Sequence, residues 1–195
     1  MNIGFKAGFT RNQVVYTAAR DTAAGNSGWQ AMGTWGVPFT PSGTIAVVSL
    51  SPERGAATAG TAQTFTVILT DSKGAGDFGV VNLLADNFID GRQACYLAYA
   101  APASALLLVD DAGDAGGPFA GSLTLNGSAA TIRNSQCSVS GTGSSAVKSG
   151  NTLTLTLNIT FSAGFAGNRI LWIAGRDGAD GNHTNWQAMG TWSVE

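Results

Sequence analysis

Apolar and polar residues alternate at every second position through much of this 195-residue chain. Between Asn151 and Phe161, one face carries Leu153, Leu155, Leu157, Ile159 and Phe161. The other carries Thr152, Thr154, Thr156, Asn158 and Thr160. That pattern predicts a half-buried antiparallel strand with a threonine-rich solvent face. Phe65, Val67 and Leu69 alternate in the same way against Thr64, Thr66 and Thr70. Further strand candidates are 44–50, 78–85, 93–100, 104–110, 121–126, 129–133, 136–140, 169–176 and 185–194. Turn-forming clusters separate most of them: DSKGAGD (71–77), DNFIDG (86–91), DDAGDAGG (110–117), SGTGSSAVKSG (140–150) and DGADGN (177–182). No stretch holds a helical period beyond a turn, and Ser162–Gly167 reads as a short helical crossover. About nine to eleven short strands without βα alternation predict an all-β sandwich with Greek-key connections.

Laid over this pattern is a repeat. Asn2–Val37 reads NIGFKAGFTRNQVVYTAARDTAAGNSGWQAMGTWGV, and Asn158–Val194 reads NITFSAGFAGNRILWIAGRDGADGNHTNWQAMGTWSV. One inserted residue between Asn182 and Trp186 keeps them in register, with about 21 of 36 aligned positions identical. A period of about 156 residues suits a whole domain rather than a solenoid unit. The expected organisation is therefore an orphan C-terminal hairpin of a preceding repeat (1–37), a Pro-containing linker (38–43) and one complete module (44–195). The prolines of Pro38-Phe39-Thr40-Pro41-Ser42-Gly43 favour an extended, fairly stiff connection. Met1 abuts sequence that is mid-domain by the repeat, so it reads as a start added to a fragment or mature chain.

Composition narrows the class. Charged residues make up 11% and the formal net charge is -2, so no basic stripe argues for nucleic acid. No apolar run approaches the length of a membrane span, and no basic segment followed by an apolar one opens the chain. Gly, Ala, Ser and Thr abound while Lys and Glu are scarce, which suits β-structure and has the character of secreted bacterial β-proteins. In that setting a Cys95–Cys137 disulfide is expected over two buried thiols. Two sulfurs and one histidine are too few for a structural zinc site.

The Thr/Leu strand, the crossover, the penultimate strand and the final WQAMGTW strand resemble bacterial immunoglobulin-like repeat modules of large secreted or surface proteins. GRQACYLAY (91–99) and LLLVDDAG (106–113) are similar to such tandem modules. The resemblance covers 44–195 and the N-terminal copy. It implies an immunoglobulin-like sandwich, an extracellular or cell-surface location and a structural or adhesive role. The cysteines lack the central Trp of antibody-type domains, so that family's inter-sheet bridge is not carried over.

Candidate chemistry is sparse. All five tryptophans lie in the repeat: Trp29, Trp35, Trp172, Trp186 and Trp192. On an unbroken strand Trp186 and Trp192, like Trp29 and Trp35, would face the same way about 20 Å apart. Such rings could stack on a glycan, or pack into a core or a neighbouring module. Asp177, Asp180 and Asn182 mimic the start of a calcium loop, with ordinary turn capping as the alternative. Asp110, Asp111 and Asp114, and Asp71 with Asp77, pose the same choice. Arg20–Asp21 and Arg176–Asp177 suggest a structural ion pair or a backbone bond. His183 is the only histidine, which leaves no base for a hydrolytic triad elsewhere, so no enzyme is expected. Lys148 is the least implausible donor for an isopeptide crosslink.

The orphan hairpin needs a partner surface for Val14, Val15, Tyr16, Trp29, Met32 and Trp35, because an isolated hairpin is marginal in water. Three placements are open: on the module of its own chain, in place of residues 169–194, or on another chain. The last would give a dimer or a strand-complemented fibre. The expected function is a non-enzymatic structural or adhesion module assembling through this hairpin, alone or in tandem with other copies. A carbohydrate-binding module is the alternative.

Overall fold

Where threonine alternates with apolar residues, at Ala62–Asp71 and Thr152–Phe161, the chain forms its two ten-residue strands. The computed structural model describes all residues except Met1, Ala7 and Ser42, so the reading of Met1 and that part of the linker lie outside the described residues. In chain order the strands are β1 (Arg11–Thr17), β2 (Gln30–Val37), β3 (Ile45–Ser51), β4 (Arg54–Ala57), β5 (Ala62–Asp71), β6 (Phe78–Asp86) and β7 (Cys95–Ala100). They continue with β8 (Ala105–Val109), β9 (Phe119–Thr124), β10 (Thr131–Arg133), β11 (Cys137–Ser149), β12 (Thr152–Phe161), β13 (Gly167–Asp177) and β14 (Gln187–Val194). A single 3₁₀ turn, Ala163–Phe165, makes the crossover between β12 and β13.

The fold is an all-β sandwich. One sheet has the order β10-β11-β12-β5-β3 and the other β4-β14-β13-β6-β7-β8-β9, while β1 and β2 form a separate two-stranded sheet. Pairing is antiparallel throughout, except that β4 lies parallel to β14 at the edge of the larger sheet. The inward faces of β5 and β12 supply Phe65, Val67, Leu69, Leu153, Leu155, Leu157 and Ile159. Opposite them stand Leu83, Leu97, Leu106, Leu171 and Ile173 of the larger sheet. Each such side chain, fully buried, contributes about 1.5–3 kcal/mol. At one end of this core Phe65 meets Phe161 and Trp192 edge-on, at 6.2 and 5.1 Å between ring centres.

Two elements escaped the sequence pattern. β4 has no alternation to announce it; it exists because Gly55 lets the backbone lie against the Trp192 ring, where a methyl group would collide. The cluster 140–150, expected as a turn, is mostly the second half of β11. The pairing of β11 with β12 is interrupted between Ser140 and Ser145. There the Ser144 hydroxyl donates to the Ser140 carbonyl and accepts from the Asn158 amide, bridging the irregularity. Gly and Ser make such a break cheap, and also hide the strand that continues past it.

Cys95 and Cys137 are bonded, and both are buried. One begins β7 in the larger sheet and the other begins β11 in the smaller, so the bond fastens the two sheets together. Its loop spans 42 residues, and closing it stabilises the fold by roughly 4 kcal/mol in the chain-entropy view. A Cys95→Ala/Cys137→Ala variant should therefore unfold in urea with about 4 kcal/mol less stability than the oxidised chain. An unchanged midpoint would show that the sheets hold each other without the bond.

Candidate functional site

The two copies of the repeat fold alike. Gln13 faces Trp35 as Arg169 faces Trp192, and Tyr16 faces Ala31 as Trp172 faces Ala188. Both hairpins are closed by the same aspartate. Asp21 accepts hydrogen bonds from the Ala23 and Gly25 amides, at 2.9 and 2.7 Å. Asp177 accepts from the Gly181 amide and the Asn182 side-chain nitrogen, each at 2.8 Å. The Asn182 bond, with those from the backbone and the nearby Lys73, holds the Asp177 carboxyl below the usual carboxylate range. Its neighbour Arg176 pairs instead with Asp180, at 3.0 Å. Of the two readings of the Arg-Asp pair, the backbone bond is the one realised.

The hairpins also share an irregularity. Leu171 faces Gly190 but Trp172 faces Ala188, so Met189 is an extra residue on β14, and Met32 holds the same place on β2. One added residue inverts the parity of everything beyond it. Trp186 and Trp192 therefore lie on opposite faces of the sheet, not on one. Trp192 is only 5% exposed, inside the core, with its indole N–H unpaired. Trp186 is half-buried on the outer face and packs edge-on to Tyr96, at 5.8 Å. The expected pair of co-facing rings is not formed.

On that outer face the N-terminal hairpin is docked. It makes no ladder with the sandwich; it lies flat on β13 and β14 of its own chain. Ala31, Ala188 and Ile170 form one small buried cluster with the flanking Val14 and Trp172. In the repeat Val14 corresponds to Ile170, Ala31 to Ala188, Asn12 to Asn168 and Met32 to Met189. The same equivalence runs through the polar contacts. The Asn12 carboxamide donates to the Met189 sulfur, and the Asn168 carboxamide donates to the Met32 sulfur and to the Gln30 side-chain oxygen. Each residue touches the counterpart of the residue that touches its own counterpart. That reciprocity defines an isologous, two-fold-like contact, here between two copies within one chain.

The opposite face of the N-terminal hairpin is bare. Trp35 is 58% exposed where Trp192 is buried, and Phe5 is 42% exposed where Phe161 is 2%. Ile3, Phe9 and Val15 are exposed as well, whereas Ile159, Phe165 and Leu171 are core residues. The stacked pair Phe5–Phe9, 5.6 Å apart, repeats the pair Phe161–Phe165 at 5.8 Å.

The remaining candidates resolve into turns. Within their own turn Asn182 donates to Asp177, Asp177 also pairs with Lys73, and Asp180 pairs with Arg176. Among the described residues no group of three or more His, Cys, Asp or Glu is placed to hold a metal ion. Asp110 and Asp114 cap backbone amides, and Asp111 binds the Ser135 amide and hydroxyl. Asp71 caps the Lys73 amide, and Asp77 pairs with the Lys73 ammonium. His183 sits exposed in the β13–β14 turn, bridged to Arg176. The Lys148 ammonium donates to the Ala101 carbonyl. Among the described residues no helix is long and apolar enough to cross a membrane.

One groove was not anticipated. It runs along the seam between the docked hairpin and the loop after β6, lined by Tyr16, Trp29, Phe88, Asn87, Gln30 and Asn168. Trp29 and Phe88 are 74% and 73% exposed there. Trp29 could be singled out in sequence, but Phe88 comes from the unrelated cluster DNFIDG, which the fold alone brings alongside. No protein-family model matches the chain, and no curated protein sequence matches it.

An isologous face is complementary to itself. Deleting residues 2–40 should uncover Ile170, Trp172 and Ala188 and produce a concentration-dependent dimer by light scattering. Ile170→Glu in the shortened chain should restore the monomer. A shortened chain that stays monomeric at all concentrations would show the face is not self-complementary.

Proposed function

We propose that the chain is a structural module of a larger extracellular or cell-surface protein, of the bacterial immunoglobulin-like repeat kind, and that its repeated hairpin is the joint between modules. The observation that carries this reading is the two-fold-like packing of the hairpin on its own copy. A docked hairpin fixes the angle between one module and the next. Support also comes from the disulfide, since such bonds persist in oxidising compartments. The docking favours tandem assembly over a strand-complemented fibre, because the hairpin lies flat on its own module and adds no strand to either sheet.

The joint is tested by charging its centre. Ala31 is buried between the hairpins, and Ala31→Arg should undock β1–β2. Hydrogen exchange in Gln30–Val37 should then rise at least tenfold and the scattering radius of the chain should increase. Unchanged exchange and radius would sink the reading.

The seam groove favours a second reading, glycan binding. Exposed aromatic faces beside carboxamides suit sugar rings, which offer an apolar face and a rim of hydroxyls. Trp29 is the residue it depends on, and not Trp192, whose ring is in the core. Oligosaccharide titrations should quench indole fluorescence in the native chain and not in Trp29→Ala. An equal response in both would remove the groove from consideration.

A further inference from the structure

We infer that the bare face of the N-terminal hairpin is the missing wall of a second sandwich, completed by a β-body like residues 44–157 whose chain runs directly into Asn2. This rests on the joint proposed above and names the partner on its other side.

The complete module states what such a face is built to meet. Trp192 and Phe161 pack on Phe65, and Trp192 also covers Gly55. Trp35 and Phe5 present the same rings with no counterpart of Phe65 or Gly55 against them. The edges match as well. β14 is paired by β4 and β13 by β6, whereas the corresponding outer edges of β2 and β1 carry no strand among the described residues.

A glycine carries the argument further. Gly190 is flanked so tightly that a Cβ would come within 2.5 Å of the Glu53 carbonyl oxygen and 3.0 Å of Leu50. Its counterpart Gly33 has nothing within 4 Å. The N-terminal copy thus keeps a glycine that its present surroundings do not require. It would be required if a loop like that before β4 lay across it.

The source of the body is set by β12. Asn2–Phe5 corresponds to Asn158–Phe161, the last four residues of a strand whose earlier part, Thr152–Leu157, belongs to the body. A body joined covalently to Asn2 would make that strand continuous, as Leu157 does for Asn158. A second copy of this chain offers a body whose place is already filled by its own β13–β14.

The test extends the intact chain by placing a second copy of residues 44–157 directly ahead of Asn2. The expected product is a monomer in which the added body resists protease and forms its own disulfide. Iodide quenching of Trp35, read against Trp35→Phe in both chains, should fall at least threefold from its value in the 195-residue chain. Phe5→Asp in the extended chain should leave the added body protease-sensitive while residues 44–195 stay intact. Exchange of residues 2–37 for 158–194 provides the positive control. The inference is overturned if the added body stays sensitive beside a protected control, or if Trp35 is quenched as before. It is equally overturned if the 195-residue chain dimerises on its own and Phe5→Asp abolishes the dimer, since a second copy would then be the occupant. None of these outcomes alters the exchange measured for Ala31→Arg, so the joint and its outer partner fail separately.

Discussion

One residue of excess length on β14 organises this molecule. In a regular strand, alternate side chains serve two faces, and residues at even spacing share one. Met189 interrupts that count, so Trp192 and Val194 enter the sandwich while Ala188 and Trp186 serve the outer face. The same hairpin thereby carries an apolar set on each side. A sheet of this kind ordinarily leaves its outer side to water. Here the outer side is apolar at Ile170, Trp172 and Ala188, and something must cover it. The copy of the hairpin, with the same bulge at Met32, presents the matching surface. Without the bulge, Trp192 and Ala188 would fall on one face, so either the core would lose its tryptophan or the two-fold-like contact its alanine.

Symmetry then limits what the contact can build. A face that binds its own equivalent is used up by one partner, so it closes at two and cannot propagate. In a tandem series joined this way, modules associate in pairs through the hairpin faces. The link from one pair to the next must use another surface. The chain thus combines a contact that closes at two with a bare face on the other side of the same hairpin.

Much of this was legible in the sequence, and the exceptions share a cause. The strands of the core were readable because Leu153 through Phe161 and Phe65 through Leu69 each keep an unbroken period of two. The repeat itself announced the hairpin, its register and its need for a partner. What failed was parity. Trp186 and Trp192 were expected on one face because nothing in WQAMGTW marks Met189 as supernumerary. A bulge needs no special residue, and it is fixed by what lies opposite. β4 was missed for a related reason: RGAA has no alternation, and its pairing depends on Trp192 lying beneath Gly55. The seam groove was invisible because Trp29 and Phe88 are far apart in sequence and meet only through the docking. At the calcium-like turn the sequence leaves the choice open, because the oxygens that would bind a cation are the same ones that close an Asx turn.

The differences between the copies explain why they do not trade places. At four successive positions the C-terminal copy has Ile170, Leu171, Trp172 and Ile173 where the N-terminal copy has Val14, Val15, Tyr16 and Thr17. Each lost methylene forfeits about 0.8 kcal/mol when the position is buried. Thr17 would also carry a hydroxyl into the site of the fully buried Ile173, where it would need a partner. Exchange is therefore disfavoured by side-chain volume. The N-terminal copy is left with the role its sequence suits: close enough to its twin to mirror the outer contact, too small to displace it from the core.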